Sequence, residues 1–124
     1  MKTWPLGWTG WRGMAKRIDG KAFAAGLRGR IKTATDAFVS SAGSRPGLTV
    51  VLVGDDPASH VYVKNKGVAA REVGFDSQEV RLPATVAQAE LLSVIRRLNS
   101  DPSVHGILVQ FPLPAHLSQE AVLD

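Results

Sequence analysis

The sequence predicts an α/β domain of three layers, in which helices flank a mainly parallel sheet. Three strand-like segments, at residues 48–53, 77–82 and 106–110, alternate with segments of helical periodicity. Such alternation is typical of parallel sheets that are joined by right-handed crossovers. The 124 residues are enough for one domain with a real core, and the hydrophobic content of 44% and charged content of 21% are ordinary for a globular protein.

The first helix should begin at Asp19, whose carboxylate can accept hydrogen bonds from the first turn. Apolar residues then recur at steps of three or four, which indicates one stripe of an amphipathic helix. The stripe consists of Phe23, Leu27, Ile31, Ala34 and Phe38. A loop over residues 40–47, rich in glycine and proline, leads into the first strand, which is short and β-branched.

The second helix is predicted to begin at Asp56 and to end near Gly74. Asp56 can act as the N-cap, and Pro57 suits the first helical position because its missing N–H would have no partner there. Gly74 is the residue type that ends helices in the left-handed conformation.

The second strand should end at Pro83, which cannot continue a sheet ladder. Thr85 and Gln88 then have the spacing of a capping box, which predicts the start of a third helix at Thr85. Its apolar stripe consists of Leu91, Leu92, Ile95 and Leu98. The third strand, residues 106–110, reads as buried, and Ser118 could cap a last helix.

The composition excludes several classes of site. The chain has no cysteine, which rules out disulfides, thiolate metal sites and a cysteine nucleophile, and fits a reducing, cytoplasmic compartment. The three histidines lack the spacing of a metal site, so we expect no metal. We expect no membrane association, because no apolar run approaches the roughly 20 residues that cross a bilayer.

The net charge of +4 is concentrated near the N-terminus. Residues 1–45 hold nine Lys/Arg against two Asp/Glu, and residues 46–124 hold six against nine. A nucleic-acid surface is one interpretation, but no platform of interleaved aromatic and basic residues accompanies the charges, so a solvated helix face is favoured and no nucleic-acid partner is expected. All three tryptophans lie in Met1–Gly13, which we interpret as a disordered extension before a domain at residues 14–124.

A group of polar side chains follows the first strand. Tyr62 and Lys66 are four residues apart, so they share a helix face, and Ser59 joins that face three residues before Tyr62. The carboxyl ends of strands are where open α/β sheets bind ligands. A lysine can transfer protons when its surroundings favour the neutral amine. From spacing alone, however, such a pair is more often ordinary helix surface.

Gln110 is the second candidate, because it ends a strand that otherwise reads Ile107, Leu108 and Val109. A buried primary amide must find hydrogen-bond partners. Those partners could be a ligand or a catalytic side chain, or simply the neighbouring backbone.

Two segments carry a family resemblance. Residues 57–66 read Pro-Ala-Ser-His-Val-Tyr-Val-Lys-Asn-Lys, and residues 106–114 read Gly-Ile-Leu-Val-Gln-Phe-Pro-Leu-Pro. Both resemble signature segments of the bifunctional methylenetetrahydrofolate dehydrogenase/methenyltetrahydrofolate cyclohydrolase family. The resemblance extends from about Lys16 to Asp124, which corresponds to the family's N-terminal catalytic domain.

The resemblance implies roles for individual residues. Lys66 would be the general acid and base, and Gln110 would contact it and the substrate. Tyr62 would pack against the folate ring system, and Ser59 would lie near it. The substrate-binding set implied comprises Ser59, Tyr62, Val63, Lys64, Asn65, Lys66, Val109, Gln110 and Phe111. Of these, Lys64 and Asn65 lie inside the motif but need not touch ligand, and Phe111 stands where a leucine is usual.

The resemblance also implies an activity. Such enzymes oxidise 5,10-methylenetetrahydrofolate with NADP, hydrolyse the product to 10-formyltetrahydrofolate and are homodimeric. The family continues into a nucleotide-binding domain and an aspartate-rich segment that we do not find up to Asp124, so we expect a chain truncated at its C-terminal end, with no NADP site of its own. The alternative is a module that holds a pterin-like ligand or a partner chain without turnover.

Overall fold

The computed structural model describes residues 19–124, and Met1–Gly13 lies outside the described part. Four helices alternate with three strands, which confirms the predicted α/β class. In chain order the elements are α1 Gly20–Ala42, β1 Gly47–Val53, α2 Pro57–Glu72, β2 Asp76–Leu82, α3 Gln88–Asn99, β3 Gly106–Val109 and α4 Gln119–Leu123.

The sheet has the strand order β2-β1-β3, and both strand pairs are parallel. β1 is the central strand, and its residues from Thr49 to Val53 are all buried. Successive side chains of a strand point to opposite faces, so β1 contributes side chains to two apolar layers, one on each face of the sheet. Val50 and Leu52 pack with Val63 of α2 on one face.

The second apolar layer lies on the opposite face of the sheet. Val51 and Val53 pack there with Leu91 of α3, and Val86, Leu113 and Leu117 complete the buried part of the cluster. The domain therefore has three layers, with α2 on one face of the sheet and α3 on the other, as the sequence predicted.

Three helix starts follow the predicted capping pattern. The Asp19 side chain accepts a hydrogen bond from the Ala22 N–H, and the Asp56 side chain accepts from Ala58 and Ser59. The Ser118 hydroxyl accepts from Ala121 at 3.1 Å, which starts the short α4. Gly74 follows the end of α2 with φ at 90°, a conformation that favours glycine.

The predicted capping box at Thr85 is wrong. α3 begins at Gln88, and its N-cap residue Ala87 has no side chain that could accept a hydrogen bond. The Gln88 side-chain oxygen instead accepts from the Ser118 N–H at 2.8 Å. The local pattern predicted that the Gln88 side chain would bond the backbone at the helix start. It bonds instead to Ser118, which is 30 residues away.

The apolar stripe of α1 forms a helix, as predicted, but most of it is exposed. Phe23 is 65% exposed and Leu27 is 41% exposed, whereas the buried residue of this helix is Thr35. The C-terminal half of α1 contacts the rest of the domain, and Thr35 lies against Gly74. There the Phe38 ring meets His105 edge-on, with the ring centroids 6.0 Å apart.

β3 is shorter and less buried than expected. It ends at Val109, and all four of its residues are only half-buried because β3 is an edge strand of the described sheet. Gln110 continues the ladder by one bond, since its N–H donates to the Val51 carbonyl at 2.9 Å. No helix within residues 19–124 is both long and apolar enough to span a membrane.

Candidate functional site

The candidate site lies where β1 and β3 end and α2 begins. The Asp56 cap fixes the first turn of α2 directly after β1, so Ser59, Tyr62 and Lys66 lie on successive turns of one helix face. β3 lies next to β1 and runs parallel to it, so its end brings Gln110 to the same edge of the sheet. The topology thus joins two segments that are 44 residues apart in sequence.

The central contact of the site is a hydrogen bond between Lys66 and Gln110. The Lys66 Nζ donates to the Gln110 Oε1 at 2.5 Å. The Gln110 Nε2 donates in turn to the Phe111 carbonyl at 2.8 Å, which orients the amide so that its oxygen faces Lys66. The backbone N–H of Gln110 is also bonded, to Val51 of the central strand. Gln110 is therefore a fixed acceptor, held by backbone at both ends of the residue.

The two residues differ in exposure. Gln110 is buried, with 8% of its surface accessible, whereas Lys66 is exposed along the side of α2. An amide oxygen accepts a hydrogen bond without supplying a negative charge, so Gln110 orients the amine without acting as its counterion. Within residues 19–124, Gln110 is the hydrogen-bond partner of the Lys66 amine. This arrangement presents an oriented amine that can exchange a proton with a bound molecule.

Tyr62 lies one helical turn before Lys66 and is 56% exposed. An aromatic ring left so open offers a flat apolar surface beside the amine. Such a surface suits a planar heterocycle, which can stack on it while a reacting atom approaches Lys66. Ser59 is only 3% exposed, and its backbone N–H is bonded to Asp56, so it forms the base of this face.

The other sequence-predicted site residues lie elsewhere. Val63 belongs to the core layer with Val50 and Leu52, and Val109 packs against the layer on the α3 face. Asn65 is an exposed residue of α2. Lys64 lines a groove between α2 and β2, on a different side of the helix from Tyr62 and Lys66.

Phe111 is half-buried and packs against the cluster on the α3 face. Its contribution to the site is its backbone carbonyl, which holds the Gln110 amide. Sequence reasoning missed this role and that of the Val51 carbonyl, because backbone partners leave no signal in the residue types. It also missed the groove beside Lys64, for which a signal existed in the helical spacing of His60, Lys64 and Arg71.

Grouped metal ligands and a dinucleotide-binding motif are both missing from the described part of the chain. Within residues 19–124, no three His, Cys, Asp or Glu side chains come together as metal ligands. The turn after β1 reads Gly-Asp-Asp-Pro, and the turn after β2 reads Pro-Ala-Thr. Neither has the Gly-x-Gly-x-x-Gly pattern that lets backbone approach a dinucleotide diphosphate, so these residues do not fit NADP.

Comparison with known proteins gives a consistent result. Residues 18–124 match the family model described as the catalytic domain of tetrahydrofolate dehydrogenase/cyclohydrolase. A curated relative, Bifunctional protein FolD 2 of Paracoccus denitrificans, is 60% identical over 107 residues, which cover 86% of this chain and 35% of the relative. The chain thus spans about a third of the length of this relative.

Two solved structures share the fold. The bifunctional methylenetetrahydrofolate dehydrogenase/cyclohydrolase FolD of Campylobacter jejuni superposes with a TM-score of 0.81 at 46% identity, over 85% of this chain and 37% of that one. The methylenetetrahydrofolate dehydrogenase-cyclohydrolase of Trypanosoma brucei, which was solved with NADP cofactor and inhibitor, gives a TM-score of 0.81 at 36% identity, over 88% of this chain and 37% of that one.

Proposed function

Because the chain belongs to the tetrahydrofolate dehydrogenase/cyclohydrolase family, we propose that it supplies the folate-binding and proton-transfer residues of a one-carbon enzyme. The reactions are the NADP-dependent oxidation of 5,10-methylenetetrahydrofolate to 5,10-methenyltetrahydrofolate and the hydrolysis of the latter to 10-formyltetrahydrofolate. The observation that carries this proposal is the 2.5 Å hydrogen bond from Lys66 to Gln110 beside the open ring of Tyr62.

Hydrolysis of the methenyl bridge requires two proton movements. The bridge is a cationic carbon between N5 and N10, and water adds its oxygen to that carbon while losing one proton. Lys66, in its neutral form, accepts that proton and later releases it to solvent. The new hydroxyl proton must then reach N5 as the carbon–N5 bond breaks and the formyl group stays on N10. We assign this relay to Lys66.

Gln110 and Tyr62 position the reactants rather than exchange protons. Gln110 holds the amine in one orientation, and correct orientation of a catalytic group can contribute several kcal/mol to a barrier. Tyr62 stacks against the pterin ring, so the bridge carbon is brought toward Lys66. Ser59 lies beneath this face and completes its polar lining.

The oxidation step also needs a bound nicotinamide cofactor. Hydride transfer depends on a nicotinamide that is held against the substrate carbon. The described strand-to-helix turns do not fit the cofactor, so we derive no step for it. In the proposed parent enzyme, NADP would be bound by other residues.

We also propose that this activity is located in the cytoplasm and that the parent enzyme is a homodimer. Its one-carbon units would be used for purine and amino-acid biosynthesis. The absence of cysteine from all 124 residues is compatible with a reducing compartment. Fractionation of source cells and size-exclusion chromatography of the purified enzyme would test these two points.

The experiment that tests the catalytic proposal compares two lysine variants. The 124-residue chain, in excess over 5,10-methenyltetrahydrofolate, should bind the ligand and hydrolyse it faster than buffer alone. Lys66→Met should lower the single-turnover rate by about 10²–10⁴-fold, the usual contribution of a general acid or base, while ligand affinity changes little. Lys32→Met is the matched control, because Lys32 pairs with Asp36 on the exposed side of α1.

The results of this experiment distinguish a catalytic site from a site that only binds the ligand. A Lys66→Met chain that hydrolyses the ligand at the wild-type rate would refute the role of Lys66. A wild-type chain that binds the ligand with no turnover above buffer would instead favour a non-catalytic pterin-binding module.

A further inference from the structure

A groove with both polar and apolar lining residues lies on the other side of α2 from Tyr62 and Lys66. It has a volume of about 300 Å³ and lies between α2 and β2. α2 contributes His60, Lys64, Gly67 and Arg71, which are spaced by four, three and four residues and therefore form one helix stripe. Nothing in the proposed chemistry of Lys66 uses these residues.

The face of β2 that meets this stripe is polar. Ser77, Glu79 and Arg81 lie in register with Leu48, Val50 and Leu52 of β1, so they point to the same side of the sheet. Val50 and Leu52 are buried against α2, whereas all three β2 residues are polar. β2 is an edge strand of the described sheet, and Glu79 and Arg81 are exposed, so these polar side chains remain accessible beside α2.

The groove is rich in positive charge. Lys64, Arg71 and Arg81 line it together with one carboxylate, Glu79. Arg81 already pairs with Glu79 at 2.5 Å. Among residues 19–124, neither Lys64 nor Arg71 takes part in an ion pair. His60 also lines the groove, and its Nε2 lies 4.0 Å from a carboxylate oxygen of the fully exposed Asp55.

Gly67 brings these donors together. A Cβ atom at Gly67 would lie 3.3 Å from a guanidinium nitrogen of Arg71 and 3.7 Å from the Ser77 hydroxyl. The Arg71 guanidinium therefore reaches back one turn and lies over the bare backbone of Gly67. Lys64 is three residues before Gly67 on the same stripe, so the ammonium, the guanidinium and the hydroxyl can reach one small volume.

We propose that this groove binds a compact anion of the phosphate class, carrying two or more negative charges. Phosphate oxygens accept hydrogen bonds on several sides, which matches a guanidinium, an ammonium and a hydroxyl that converge from different directions. The volume of about 300 Å³ holds a phosphate or diphosphate group with its water and not a whole dinucleotide.

The test is a calorimetric titration of inorganic diphosphate into the 124-residue chain near physiological ionic strength. The wild type should show saturable binding. Arg71→Gln and Lys64→Gln should each weaken it by about fivefold or more, because each removes a charge-assisted donor. Gly67→Ala changes no charge but fills the floor of the groove, so it should weaken diphosphate binding. Alanine favours the helix more than glycine does, so loss of the fold would not explain weaker binding.

Two control variants make the result decisive. Arg97→Gln removes the same charge from α3, outside the groove, and should leave the affinity within about twofold. Lys66→Gln should also leave it unchanged, so this result does not depend on the folate site. Absence of saturable binding to the wild type, or an equal loss with Arg97→Gln and Arg71→Gln, would overturn the proposal.

Discussion

Replacement of Gln110 tests whether orientation of Lys66 matters for chemistry. Gln110→Leu keeps the size of the side chain but removes the acceptor 2.5 Å from the Lys66 amine and the donor to the Phe111 carbonyl. Each lost hydrogen bond costs a net of about 0.5–1.5 kcal/mol. Lys66 is exposed and regains water, and burial of a leucine at this enclosed position offsets part of the loss. We therefore expect the free energy of unfolding to fall by no more than about 1.5 kcal/mol.

The effect on hydrolysis should be much larger. Once its acceptor is gone, the Lys66 amine can move over several rotamers, and a misplacement of about 1 Å can cost about 10²-fold in rate. Stopped-flow measurement of methenyl absorbance, with the chain in excess, would give this rate apart from ligand affinity. Urea denaturation of the same preparation would show that the fold is kept.

A second variant at this position distinguishes a chemical role from a structural one. Gln110→Glu would place a carboxylate beside the amine, and an adjacent negative charge favours the charged form of lysine. The pH–rate profile of hydrolysis should then move to higher pH. A folded Gln110→Leu chain with the wild-type rate, or a Gln110→Glu chain with an unchanged pH profile, would refute the assignment.

Three further predictions concern the fold and the cofactor. Gly47→Ala should destabilise the domain by about 1–3 kcal/mol in urea titrations, because the new Cβ would overlap the Ser103 backbone carbonyl, which cannot swing aside; a change below about 0.5 kcal/mol would contradict this. The pKa of Asp101 lies below its ordinary value of 3.8, because the Ser103 hydroxyl, and then its backbone N–H, donate to the carboxylate. The stability that the Asp101 carboxylate contributes should be present above its unfolded-state pKa and be lost as the pH falls through its lower folded-state pKa. The Asp101→Ala variant should lack this part of the pH dependence of the melting temperature. Finally, the 124-residue chain should not bind NADP. Calorimetry should show no saturable micromolar binding of NADP when the buffer contains diphosphate. The diphosphate is added so that the proposed anion site between α2 and β2 is already filled.

The sequence predicts the elements of this domain well where local chemistry determines them. Asp19, Asp56 and Ser118 each have a side chain that can accept hydrogen bonds from the following turn, and each begins a helix as expected. The strand at 47–53 is mostly apolar, with Thr49 as its one polar residue, because β1 is covered on both faces. In these cases the residues that determine the structure are neighbours in the chain.

The features that the sequence did not predict correctly or did not specify depend on distant contacts. Thr85 and Gln88 have the spacing of a capping box, but the Gln88 oxygen binds the Ser118 N–H. The stripe of α1 has helical spacing, but periodicity does not state which part of the stripe meets the domain. Only packing shows that Thr35 is buried while Phe23 is 65% exposed.

The candidate site illustrates the same limit, because its central contact depends on the order of the strands. The sequence places Lys66 after β1 and Gln110 after β3 but does not specify that β3 is the neighbour of β1. In the sequential order β1-β2-β3, a further strand spacing of about 4.8 Å would separate Gln110 from β1. The observed order β2-β1-β3 gives Gln110 its backbone bond to Val51 and brings its amide within 2.5 Å of Lys66. Local sequence pattern therefore identifies Lys66 and Gln110 as candidates. The connection from β2 to β3 places β3 on the other side of β1, and this position brings the two residues together.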